Sequence, residues 1–177
     1  MVGILPALGQ DGVYKQFDLS KGWDDPANRA AIVEIVPTFA CPSQYVAPMQ
    51  GSPQSNPYIG MAGLGADAPT LRASDPRAGF FRYDDPTKLS MLVRGLSYTM
   101  TILETARDEG SWAAGGAATV RGLDMRESPY IGRGLQFGGH PGGCNAAFAD
   151  GSARFQPDSI SPEVLDKLVP LAEHSGP

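Results

Sequence analysis

The alternation of apolar and polar residues predicts short strands in the middle of the chain. Residues 98–104 (YTMTILE) alternate and are rich in β-branched side chains, which favours a strand. Residues 91–93 are a second candidate strand, and Gly95 marks the turn between the two. Residues 58–65 contain several small side chains, which would let a strand pass close to its neighbour.

A hairpin is predicted further along the chain. Residues 145–148 and 153–155 have the alternation of two paired arms, which Phe148 and Phe155 would anchor. Asp150-Gly151, between the arms, can supply the positive φ angles of a two-residue turn.

Helical signals are short and lie towards the two ends of the chain. Residues 3–17 predict broken helical segments, because a proline and two glycines interrupt the apolar pattern. Asp25 with Pro26 predicts the cap and first turn of a helix over residues 27–33. Ser161 with Pro162 predicts the start of a last helix. The apolar residues expected on one face of that helix are Val164, Leu165, Leu168 and Val169.

The composition predicts a loop-rich α+β fold. The 177 residues are 42% hydrophobic, which is enough for one core, so we expect a single domain over residues 1–177. The chain has 22 glycines and 16 prolines, and residues 41–57 and 66–88 are typical of long surface loops. Trp112, a large aromatic among small residues, is expected to fill a core.

The charge of the chain disfavours two classes of partner. The 14 Lys and Arg residues are scattered, whereas phosphate backbones require a basic patch, so no nucleic-acid partner is expected. A net charge of −5 also disfavours binding to anionic membrane surfaces and favours solubility. No stretch of the sequence approaches the roughly 20 apolar residues of a membrane span.

The two cysteines leave two alternatives open. A Cys41–Cys144 disulfide would close a loop of about 100 residues, worth about 4 kcal/mol in the chain-entropy model. Such a bond would suit an extracytoplasmic protein. The other alternative is two buried, reduced thiols.

Catalysis by Cys144 with His140 as base is not expected. Their four-residue separation would bring them together only on a helix, which residues 141–143 (PGG) disfavour. The same residues allow a sharp turn that places His140 beside the hairpin, where we expect its imidazole to hydrogen-bond the backbone. No catalytic, cofactor-binding or metal-binding residues are therefore predicted.

The sequence predicts no cofactor, and bound calcium is the alternative. Asn145, Asp150 and several loop acids are oxygen donors, but no D-x-[DN]-x-[DN]-G array places three donors in one loop. We therefore expect Asp150 to stabilise the turn and Asn145 to cap backbone. The loop acids are Asp67, Asp75, Asp84, Asp85 and Asp124.

The glycines of residues 60–65 lack G-x-G-x-x-G spacing, so no nucleotide site is predicted.

An ordered set of short motifs runs through the chain from about residue 4 to 171. The motifs lie at residues 4–8, 13–18, 23–29, 37–43, 95–99, 102–104, 148–152 and 158–161, and His140 precedes Asp150-Gly151 by nine intervening residues. The set resembles that of bacterial prepilin-like proteins with a C-terminal His-X9-Asp-Gly signature, relatives of type IV pilins and type II secretion pseudopilins. The family usually has Asn where this chain has Tyr98.

The resemblance implies a pilin-like globular head with a small antiparallel sheet, short helices and long Gly/Pro-rich loops. Family members normally begin with a basic leader, a peptidase site and a long apolar helix, which this sequence does not contain. We therefore expect either a trimmed head or a different anchoring device. Any contact with the membrane is expected only through an element absent from this chain.

The function implied is that of a non-enzymatic structural subunit of an extracellular pilus-like filament or pseudopilus at the cell surface. Its expected partners are further copies of the chain or related pilin-like subunits. The alternative is a soluble, envelope-associated binding module for glycan or protein. Candidate exposed aromatics for that module are Trp23, Tyr45, Tyr58 and Tyr130.

Overall fold

A computed structural model describes residues 1–44, 47–107 and 109–172 and confirms the α+β class. The chain divides into two compact units. The first comprises Met1–Pro57 and Asp108–Thr119, and the second Tyr58–Arg107 and Val120–Pro177. The single domain over residues 1–177 stays a prediction, for which one cooperative unfolding transition is expected. Across the described ranges, no helix has the length and apolarity needed to cross a bilayer.

Regular elements are short throughout the described residues. The strands are β1 (Ser55–Asn56), β2 (Tyr58–Leu64), β3 (Met100–Glu104), β4 (Gly110–Ser111), β5 (Val120–Leu123), β6 (Gly143–Phe148) and β7 (Ala153–Pro157). The α-helices are α1 (Asp11–Tyr14), α2 (Arg29–Ile32) and α3 (Pro162–Leu168). Single turns of 3₁₀ helix lie at Val2–Ile4, Pro6–Leu8, Pro26–Asn28, Pro37–Phe39, Ala68–Thr70, Leu89–Met91, Leu96–Tyr98, Gly116–Ala118 and Met125–Glu127.

The core of the first unit forms around Trp112, which is fully buried, as predicted. The rings of Phe17 and Phe39 lie 5.8 and 5.6 Å from the Trp112 ring. The broken helical segments predicted over residues 3–17 are confirmed, and α1 ends that stretch. Asp25 caps the Pro26–Asn28 turn by accepting a hydrogen bond from the Ala27 N–H, and α2 follows directly.

The second unit contains a five-stranded sheet in the order β5-β2-β3-β6-β7. The neighbours β2, β3, β6 and β7 pair antiparallel, but β5 pairs parallel to β2. This larger sheet is therefore mixed instead of purely antiparallel, whereas β1 and β4 form a separate two-stranded antiparallel sheet in the first unit. A parallel neighbour requires a long crossover. Here the chain between β2 and β5 is residues 65–119, which include β3 and residues 108–119 of the first unit.

Small residues in β2 allow another segment to approach its backbone, as predicted. Gly79 donates to the Ala62 carbonyl at 2.6 Å, and Leu64 donates to the Arg77 carbonyl at 2.9 Å. A Cβ at Gly63, whose φ is +128°, would lie 2.0 Å from the Arg77 carbonyl oxygen. These glycines therefore serve strand packing.

The predicted hairpin forms between β6 and β7, but its loop has three residues instead of two. Ala147 pairs with Ala153, Phe148 donates to the Ser152 carbonyl, and Gly151 donates back to the Phe148 carbonyl. The loop is thus a turn that ends in Gly151 at φ +82°, the arrangement of a three-residue hairpin with a bulge.

The anchoring role predicted for Phe155 is wrong. Phe148 is buried in the core, as expected, but Phe155 is 49% exposed. Strand β7 is an edge strand, and its pairing places the Phe155 ring over Gly143, where a Cβ would meet that ring at 2.9 Å. Phe155 thus covers backbone instead of filling the core.

Two further expectations need correction. Residues 91–93 are not a strand: Met91 ends the Leu89–Met91 turn, Leu92 and Val93 belong to no regular element, and β3 begins only at Met100. Helix α3 starts at Pro162 as predicted, and Leu165 and Val169 enter the core, but Val164 is exposed. The apolar face of α3 is therefore narrower than its sequence suggests.

We expect Gly151→Val to destabilise the chain by about 1–3 kcal/mol, because a β-branched residue is strained at positive φ. The matched control is Gly115→Val, since Gly115 has φ −84° and ψ −176° and open space around its Cβ position. Urea unfolding of both variants measures the difference. Equal midpoints for Gly151→Val and the parent would show that the turn is assigned incorrectly.

Candidate functional site

A buried carboxylate lies where β3 ends. Glu104 is 4% exposed, and its Oε2 accepts from the backbone N–H of Asn145 at 2.7 Å and from the Asn145 side-chain amide at 3.0 Å. The β3–β6 ladder reaches Leu103 and Ala146, so Asn145 is the next residue in register. The Glu104 side chain therefore takes the place of a strand carbonyl and extends the ladder.

His140 brings a third donor to the same oxygen. Its Nε2 lies 3.0 Å from Glu104 Oε2 and 3.3 Å from the Asn145 side-chain nitrogen. The backbone of His140 pairs with Gly143 in both directions, at 3.1 and 3.2 Å, across the turn at residues 141–142. His140 thus lies beside the hairpin, as predicted. Its main chain makes the bonds to Gly143, and its imidazole lies against the Glu104 carboxylate. The backbone bond expected for the imidazole stays a prediction.

The thiol of Cys144 is sequestered under this cluster. Cys144 lies on β6 with no exposed surface, Cys41 is buried as well, and no disulfide joins the two, which corresponds to the second of the two alternatives. Burial and, to a smaller extent, the nearby Glu104 carboxylate together raise the pKa of the Cys144 thiol to about 12. The nucleophilic thiolate is therefore strongly disfavoured at neutral pH.

A groove of about 460 Å³ adjoins His140 in the second unit. Its wall is the glycine-rich stretch 132–142, and its ionisable lining residues are Arg107, Arg133, His140 and Asp158. Arg107 forms a two-pronged ion pair with Glu127, at 2.7 and 3.3 Å. The groove offers both donors and an acceptor, which suits a polar ligand.

The acids considered as calcium ligands have partners of their own. Asp67 and Asp75 pair with Arg77, Asp85 pairs with Arg82, and Asp150 pairs with Arg154 and bonds Ser152. The Arg126 guanidinium and backbone hold the pKa of Asp124 at about 2. Asp84 is exposed, and Asn145 bonds Glu104 instead of capping backbone. Local bonds within the chain therefore account for most of these oxygen donors.

The aromatics suggested for a binding module lie in different environments. Trp23 is exposed, and Tyr58 is half-buried on β2. Tyr130 is buried, and its hydroxyl donates to Asp166 at 3.0 Å, so its expected exposure is wrong. Tyr45 lies outside the described residues.

Sequence reasoning overlooked Glu104 and the groove residues Arg107 and Arg133. A carboxylate at the end of an apolar, β-branched strand is a detectable signal, because a buried charge requires partners. The groove gives no comparable signal, since glycines separate its charged residues.

Comparison with protein families matches residues 1–137 to the family described as "Protein of unknown function (DUF1559)". The match covers well over half of the chain, which therefore belongs to this family. The family is associated with pilin-like and prepilin proteins, so the resemblance is confirmed at this coarser level. The His140 to Gly151 signature lies beyond the matched residues. Comparisons with curated proteins and with solved structures returned no match.

We expect the stability of the chain to fall as the pH rises from about 9 towards 12. Burial raises the pKa of Tyr130 to about 12, and Cys144 has a similar value. In the unfolded chain these groups ionise near pH 10 and 8.5. The unfolded state therefore binds fewer protons in this window, and the free energy of unfolding decreases with pH. Urea unfolding at several pH values measures the slope. Cys144→Ala and Tyr130→Phe should each flatten it, and a slope unchanged in both would contradict the assignment.

We expect Glu104→Ala to cost about 1–3 kcal/mol, because it leaves the partly buried Asn145 N–H without its carboxylate acceptor. His140→Ala should cost less, since Asn145 still donates twice to the carboxylate. Exposed Glu34→Ala is the matched control. A double-mutant cycle of Glu104 and His140 should give a coupling energy of about 0.5 kcal/mol or more. Additive effects would mean that the two side chains do not interact.

Proposed function

We propose that this chain is the globular head of a pilin-like structural subunit, which acts by self-assembly or display at the cell surface. Membership of a family associated with prepilin proteins carries this proposal. Its partners are then further copies or related pilin-like subunits. Localisation outside the cytoplasm follows from the same role.

The bonding of the C-terminal signature supports a structural role over catalysis. His140 and Asn145 bond Glu104, and Asp150 bonds Ser152 inside the hairpin loop. The signature side chains are thus engaged within the second unit. The raised pKa of Cys144 removes the strongest nucleophile near His140.

A second candidate is an envelope-associated binding module, and the groove beside His140 is the observation that favours it. Its volume of about 460 Å³ lies in the range of small-ligand sites. Among the described residues, its lining contains no Phe, Tyr or Trp on which a sugar ring could stack, which supports the assembly role over this candidate.

Immunogold labelling of negatively stained native material tests the proposal. We expect the label to lie along filaments or on an envelope-associated assembly, and to be absent from cells that lack the gene. Label confined to soluble, monomeric protein would contradict the structural-subunit role and favour the binding module.

A further inference from the structure

The second unit exposes an apolar segment that carries only positive charge. Residues 88–98, the basic apolar segment, contain Lys88 and Arg94 and no acid. Leu89 and Val93 are 65% and 73% exposed, and Leu96 and Tyr98 are exposed as well. Within the described ranges, neither Lys88 nor Arg94 forms an ion pair with a carboxylate. Apolar side chains clustered at the surface mark interaction sites.

The first unit exposes an apolar loop of opposite charge. Residues 18–25, the acidic loop, present Leu19 and Trp23 at 62% and 37% exposure. The loop contains three aspartates and Lys21, a net charge of −2. The carboxylates of Asp18 and Asp25 bond only serine and backbone groups, and none of the three aspartates has a Lys or Arg partner in the part of the chain that the structure describes.

The acidity of the chain is concentrated in its smaller unit. The first unit holds seven acids and three bases, a net charge of −4, whereas the larger second unit holds twelve acids and eleven bases, a net charge of −1. The acidic loop of a second copy can therefore lie opposite the basic apolar segment of the first copy. Complementary surfaces that differ from each other produce head-to-tail assembly.

We propose that the acidic loop of one copy docks on the basic apolar segment of the next. Leu19 and Trp23 would pack against Leu89 and Val93, while the loop aspartates meet Lys88 and Arg94. The contact is heterologous, so each copy retains one unused surface and the assembly can propagate. This inference rests on the proposed function and names the surfaces through which it operates.

Charge reversal with a mixing experiment tests the contact. Analytical ultracentrifugation of the parent chain should show association that increases with concentration and weakens with salt. Asp24→Lys and Lys88→Glu should each weaken association by about tenfold or more, because they place like charges opposite each other. Lys167→Glu, a charge reversal at an exposed position of α3, is the matched control and should associate like the parent. Circular dichroism checks that every variant is folded.

The mixture distinguishes head-to-tail from symmetric pairing. A loop variant (Leu19→Ser with Trp23→Ser) and a segment variant (Leu89→Ser with Val93→Ser) each retain one surface. Each alone should be monomeric, and an equimolar mixture should form dimers and stop there. Asp24→Lys combined with Lys88→Glu in one chain should recover association.

The contact would be overturned by a monomeric parent at high concentration, by parental association of both surface variants, or by a mixture that stays monomeric. Symmetric dimers of either variant alone would also contradict it. None of these outcomes decides the proposed function, which the labelling experiment tests separately. Labelled filaments in native material together with a failed contact would mean that the filaments are built through other surfaces.

Discussion

The second unit depends on the hydrogen bonds made to one buried carboxylate, that of Glu104. Removing a carboxylate from water costs several kcal/mol unless hydrogen bonds and opposite charge offset the loss. Glu104 meets this requirement with two donors from Asn145 and one from His140. Because these donors lie on β6 and on the turn before it, satisfying the carboxylate fixes the hairpin against β3. The histidine and the hairpin that follows it are therefore joined through a residue that lies outside the signature itself.

Features governed by local rules could be predicted from the sequence. Alternation identified all of β3, with a start predicted two residues too early, and both arms of the hairpin, and Pro162 marked the start of α3. The small residues of β2 indicated a close approach, which the Gly63 and Gly79 contacts confirm. Trp112 was expected in a core because it is a single large side chain among small ones. In each case the neighbours along the chain contain the determining information.

Features governed by distant partners could not be predicted. Strand β5 is four residues long, and its parallel pairing with β2 depends on a crossover that no local pattern encodes. Phe155 alternates correctly, but its exposure follows from the edge position of β7 in the sheet. Residues 91–93 have strand propensity, yet the exposure of Val93 shows that surface position outweighs it. Glu104 was recognisable as unusual, but its partners lie about 40 residues away in sequence.

In place of a strand carbonyl, the Glu104 carboxylate accepts the bond that closes the β3–β6 ladder. Native-state hydrogen exchange of the Asn145 amide, measured by NMR on the unmodified chain, tests this role. We expect this amide to be as strongly protected as the ladder amides of β6, although its acceptor is a side chain. Exchange of Asn145 at the rate of an exposed loop amide such as Gly142, with the other β6 amides still protected, would show that the carboxylate does not close the ladder.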